Sequence, residues 1–122
     1  MEKQQGFKRL ISAFQNSNRA LGWLLKNEAA FKQEAWLLLF SIPLSFIISD
    51  SLAQQLLLIS SVIFVMFAEV VNTAIEAVVD RVGLEHHELS GLAKDLGSLA
   101  VLISLLLCCT AWGYVIVQHF VI

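Results

Sequence analysis

Two patterns of apolar and polar positions follow one another along the chain. Between residues 6 and 27, Phe7, Leu10, Ile11, Phe14, Leu21, Leu24 and Leu25 recur at helical spacing and fall largely on one side. Lys8, Arg9, Arg19 and Lys26 add positive charge. An apolar side and a cationic side at a period near 3.6 predict an amphipathic helix lying in a membrane interface. A soluble helix packed on a partner would carry the same pattern. Further on, the alternation gives way to runs without Asp, Glu, Lys or Arg, at residues 35–49, 51–68 and 96–118. A membrane-spanning helix needs about 20 mostly apolar residues. The third run meets that length alone. The second meets it if the helix continues past Glu69 through Val70, Val71, Ala74 and Ile75. The first must draw in Ala29, Ala30 and Phe31 or sit in a thinned bilayer. Pro43 interrupts it, which a membrane helix tolerates. The expectation is an all-α membrane protein in one domain of residues 1–122. A surface helix covers about 6–27, and helices containing the spans cover about 29–49, 51–81 and 92–119.

Composition agrees with this reading. The 122 residues are 57% hydrophobic and 15% charged, with a mean hydropathy of +0.73. A soluble domain averages about 25% charged residues. A disordered chain, a collagen-like fibre and a disulfide-stapled scaffold are excluded, and a soluble globular domain nearly so. The net charge of −2 hides an asymmetry, because six of the eight Lys and Arg precede residue 35 and only Arg81 and Lys94 follow. Basic residues mark the cytoplasmic side. The N-terminus and the link from Asp80 to Asp95 are therefore expected inside a bacterial inner membrane, with Asp50 and the C-terminus outside. The N-terminal segment does not read as a signal peptide, since its apolar run begins late and no small-residue cleavage site follows. Cys108 and Cys109 are adjacent, a poor geometry for a disulfide, and read as small apolar side chains.

The most informative positions are Glu69, Asn72, Glu76 and Asp80. Their spacings of three, four and four place them on one helix face. With the membrane boundary near Asp80, Glu69 lies roughly 16 Å inward at 1.5 Å per residue. A charged acid at mid-membrane depth costs about 2.5–3.5 kcal/mol on insertion scales. Interhelical hydrogen bonding explains Asn72 well and two carboxylates poorly. Glu28, Glu34, the Glu85-His86-His87-Glu88 run, Lys94 and Asp95 all belong to the expected cytoplasmic side. Carboxylates with a lysine suit Mg²⁺ and phosphate. Zinc fits less well, because His87-Glu88-Leu89-Ser90-Gly91 lacks the second histidine of a metalloprotease helix. No P-loop, no Gly-rich dinucleotide turn and no protein-kinase motif set is present. An intramembrane glutamate also suits a small proton or cation transporter, although the chain shows no inverted repeat. No nucleic-acid partner is expected.

Three ordered motifs carry a resemblance. The first is Asn27-Glu28-Ala29-Ala30-Phe31-Lys32-Gln33-Glu34. The second is Glu69-x-x-Asn72-x-Ala74-Ile75-Glu76-Ala77-x-x-Asp80-Arg81. The third is Glu88-Leu89-Ser90-Gly91-x-Ala93-Lys94-Asp95-x-Gly97-Ser98. With Gly6-Phe7-x-Arg9 they cover nearly the whole chain, which resembles the bacterial integral-membrane diacylglycerol kinases. The resemblance implies a homotrimer of the inner membrane that moves the γ-phosphate of MgATP to the primary hydroxyl of diacylglycerol, with active sites shared between protomers. It implies Glu69 as catalytic base and Glu28 and Glu76 as holders of Mg²⁺ on the ATP phosphates. Lys94 and Asp95 would contact the nucleotide, with Glu85, His86 and His87 near adenine and ribose. Arg9, Ala13, Phe14, Gln15, Asn16, Ser17 and Asn18 would border lipid and nucleotide, with Arg9, Asn16 and Ser17 touching ATP. Ala30, Phe31 and Glu34 would border the lipid, and Asn72 and Ser98 would support Glu69 and the acceptor. The surface helix departs from the common pattern at Asn16, where many members carry an aromatic before Ser17, and at Ala20, where many have glycine. Relatives that phosphorylate undecaprenol share the same motifs.

Overall fold

The computed structural model describes residues 5–122. Four helices follow one another: α1 (Phe7–Asn27), α2 (Ala29–Ile48), α3 (Leu52–Val82) and α4 (Glu88–Phe120). The chain divides into one compact unit up to Gln33 and another from Glu34 onward. In the first unit, Gly6 precedes α1 at φ 64°, a left-handed conformation that a Cβ would strain. Phe7 and Phe14 are more than two-thirds exposed. At the end of α1, the Asn27 side-chain amide donates to the Trp23 carbonyl at 2.9 Å.

Helices α2, α3 and α4 are each long and apolar enough to cross a bilayer. The 20 residues of α2 cover about 30 Å, the thickness of a hydrocarbon core. The helix runs through Pro43 without a break, although proline has no N–H for the carbonyl one turn back. Nearby hydroxyls also turn inward, with Ser41 donating to Leu38 at 2.8 Å and Ser45 to Ile42 at 2.6 Å. Buried Ser61 and Ser104 do the same to Leu58 and Val101. Each hydroxyl is thus satisfied within its own helix, which lets a small polar side chain sit in an apolar interface.

The start of α3 is set by its sequence. Ser51 Oγ accepts from the Gln54 N–H at 3.2 Å, and the Gln54 side chain accepts from the Asp50 N–H at 2.8 Å. That reciprocal arrangement satisfies two donors otherwise left open at a helix start. Helices α3 and α4 pack antiparallel. Asp80 pairs with Lys94, Asn72 lies against Gly97 and Ser61 lies 3.5 Å from the Cys108 sulfur, so partners run in opposite order. Toward the other end, Ile48, Leu58 and Val115 form a buried cluster that joins all three spans, with Trp112 packed against it. Large apolar side chains such as Phe40, Phe46, Phe67 and Leu106 stay more than half exposed, the surface a lipid environment covers.

The expected helix bounds of 51–81 and 92–119 leave a link over 82–91, and in the structure the link spans only 83–87. The physical reason is the cap. His87 Nδ1 accepts from the Leu89 N–H at 3.1 Å, and Glu88 occupies the first turn, where a negative charge complements the helix dipole. The helix therefore starts at Glu88 instead of near residue 92.

Candidate active site on α3 and α4

The stripe foreseen on α3 is present as a face of that helix. Glu69, Asn72 and Glu76 are half-buried and Asp80 is exposed. The Asn72 amide donates to Glu76 Oε1 at 3.2 Å, which holds that carboxylate one turn away. Glu34 of α2 and Glu69 of α3 lie close enough for their carboxyl groups to act on one another. The second oxygen of Glu34 is buried with no partner. Such an orphan acceptor is costly in an apolar setting unless something else meets it.

Glu34 also lines a cavity of about 340 Å³. The rest of its wall is Leu37, Phe40, Ser41 and Leu44 of α2, Val62 and Val65 of α3, and Leu105, Cys108 and Trp112 of α4. The hollow is almost wholly hydrocarbon, with a carboxyl where α2 begins. The Trp112 indole N–H in its wall is also buried and unpartnered. An apolar hollow with a few polar groups suits an amphiphile.

Gly97 brings α4 against the stripe. A Cβ at this position would overlap the Asn72 side-chain carbonyl oxygen, and Ile75 lies 3.6 Å away. Only the absence of a side chain allows the approach. The sequence-based expectation assigned support of the site to Asn72 and Ser98. In the structure Ser98 is exposed and its neighbour Gly97 meets Asn72.

Nearer the 83–87 link, Lys94 Nζ lies 2.8 Å from Asp80 Oδ1. A small hollow of about 230 Å³ is lined there by Asp80, Glu85, His86, His87 and Lys94, among others. Capping occupies His87 Nδ1, which leaves Nε2 as its free nitrogen. Asp95 is exposed beside Lys94.

The remaining assigned residues belong to the first unit. Arg9, Ala13, Phe14, Gln15, Asn16, Ser17 and Asn18 all lie on α1 and are exposed. The Ser17 hydroxyl donates to the Ala13 carbonyl at 2.8 Å. Glu28 is half-buried between α1 and α2, Ala30 is exposed and Phe31 is buried. Among the described residues no group of three His, Cys, Asp or Glu side chains forms a metal cage. Isolated carboxylates such as Glu28 and Glu76 fit Mg²⁺ that arrives with phosphate oxygens and keeps waters, since such an ion uses one or two protein carboxylates.

Three features escaped the sequence reading: the Gly97 approach to Asn72, the Asp80–Lys94 pair and Trp112 in the cavity wall. An isolated glycine inside an apolar helix was the available signal for the first.

Comparison with known proteins identifies a family. The family described as prokaryotic diacylglycerol kinase matches residues 15–116. The diacylglycerol kinase of Escherichia coli (strain K12) is 45% identical over 94% of this chain and 94% of its own length. That of Haemophilus influenzae is 44% identical over 93% of this chain and 96% of its own. The Pseudomonas aeruginosa enzyme is 36% identical over 93% and 92%. Near-complete coverage, joined to a carboxylate stripe on membrane helices beside an apolar hollow, places the chain in the prokaryotic diacylglycerol kinase family.

Proposed function

We propose that this chain is a lipid kinase that transfers the γ-phosphate of MgATP to the primary hydroxyl of diacylglycerol, giving phosphatidic acid. Membership of the family carries diacylglycerol kinase activity. The observation that best supports the mechanism is the α3 stripe. It begins at Glu69, in reach of Glu34 beside the apolar cavity, and ends at Asp80 beside Lys94 and the polar hollow. One face of one helix thus joins a lipid-like environment to an aqueous one.

Phosphoryl transfer needs positioning and charge neutralisation more than covalent work by the protein. The apolar hollow would hold the acyl part of the acceptor and keep water from competing for the phosphate. Glu69 would take the proton of the primary hydroxyl. Glu76, steadied by Asn72, and Glu28 would hold Mg²⁺, which neutralises phosphate charge when bound. Lys94 would donate to phosphate oxygens, with Asp95, Glu85, His86 and His87 around the nucleoside. The exposed α1 residues from Arg9 to Asn18 would border both substrates at the interface. We place the protein in the inner membrane with its N-terminus inside, because the basic residues cluster there. The family assembly would be a homotrimer, which also shields polar groups that three spans cannot cover alone.

The direct test is purified protein in detergent micelles with labelled ATP, Mg²⁺ and short-chain diacylglycerol. Labelled phosphatidic acid is expected, and its absence alongside proton or cation flux in vesicles would favour a transporter. Repeating the assay with undecaprenol decides the acceptor class. In the same assay Glu28→Gln and Glu76→Gln are expected to raise the Mg²⁺ requirement at least about tenfold or to end activity, because the amide keeps an oxygen but loses the negative charge that a hard cation needs. A Mg²⁺ titration matching wild type would remove that residue as a ligand.

A further inference from the structure

We propose that Asp80 is a positioning residue, which orders the Lys94 ammonium for the nucleotide phosphates before they arrive. This rests on the reading of Lys94 as a phosphate contact. The ammonium crosses from α4 to Asp80 Oδ1 on α3 at 2.8 Å, with the two side chains 45% and 48% exposed. Glu76, one turn back on α3, is the other carboxylate that acts on it. Lys94 is therefore held at the Asp80 end of the stripe, four residues along α3 from the proposed metal ligand Glu76.

Helix stability gives no reason for an acid at position 80. Asp80 stands in the closing turns of α3, where the dipole disfavours negative charge. An ion pair this exposed adds little to folding. Its effect on Lys94 is larger. A lysine on a four-carbon stem samples many rotamers and loses that freedom when it binds phosphate. The pair with Asp80 imposes the loss in advance. An ammonium has three donors, so one can stay on Asp80 while the others meet phosphate oxygens. Asp80 and Lys94 also line the same small hollow as Glu85, His86 and His87, so the ordered ammonium faces the space assigned to the nucleotide. Asp80 also repels a polyphosphate, but water and salt screen that repulsion at half-exposed positions, whereas the ordering is local.

The test measures the dissociation constant of a non-hydrolysable MgATP analogue for the full-length protein in micelles, with KM for ATP and for diacylglycerol. Asp80→Asn is expected to weaken analogue binding and raise KM for ATP by about 5- to 30-fold, the scale of lysine rotamer freedom. KM for diacylglycerol and thermal stability should be unchanged, and Asp80→Glu should recover most of the loss. In a Lys94→Ala background, Asp80→Asn should add no further weakening. Unchanged or tighter analogue binding in Asp80→Asn overturns the proposal, as does a loss of the same size without Lys94. If Asp80→Asn does not assemble, Asp80→Ser carries the same comparison. Analogue binding by Lys94→Ala as tight as wild type sinks the reading of Lys94 itself and is a separate result.

Discussion

Glu69→Gln is expected to lower lipid kinase turnover by at least about 100-fold, the lower end of what a positioned base contributes. The protein should still fold and bind MgATP. Glutamine has nearly the shape of glutamate and can hydrogen-bond Glu34, but it cannot take the hydroxyl proton. A neutral amide is also easier to place within a membrane than a carboxylate, so instability would not account for the loss. The measurement is turnover of labelled ATP with saturating diacylglycerol, alongside thermal inactivation and nucleotide binding. Near-normal turnover would remove Glu69 from the role of base. The role would then pass to Glu34, which interacts with Glu69 and lines the apolar cavity.

Gly97→Ala is the second large effect. In an open helix this change stabilises by roughly 0.8–1 kcal/mol through propensity. At position 97 the added methyl would overlap the Asn72 carbonyl oxygen, and overpacking costs about 1–3 kcal/mol. The clash outweighs the propensity gain, so thermal stability in micelles should fall. Activity should fall further, because Asn72 can escape only by turning and its bond to Glu76 goes with it. The matching change at Gly113, which has open space around it, should keep both stability and activity. A Gly97→Ala protein with wild-type activity and inactivation temperature would show that α3 and α4 separate easily at this level.

Much of this fold was legible along the chain. Apolar runs of bilayer length marked the spans, because lipid leaves no other partner for their backbone and side chains. Position 69 stood out because a carboxylate inside such a run is expensive. The helix period put Glu69, Asn72 and Glu76 on one face without any tertiary information. The start of α4 was misplaced because a histidine cap is a weak signal beside the serine, threonine and aspartate that usually mark helix starts.

Pairings between helices were a different matter. Periodicity tells which residues share a face, but it carries no register between two helices, which comes from how side chains interlock. By itself, then, the sequence determined the three long apolar helices and the acidic stripe, since each follows from local pattern and the cost of polarity in lipid. Only the tertiary structure decided that Glu34 meets Glu69, that Gly97 admits Asn72 and that Lys94 reaches Asp80 across the α3–α4 interface. Those contacts depend on a close, antiparallel packing of two helices that no single stretch of sequence records.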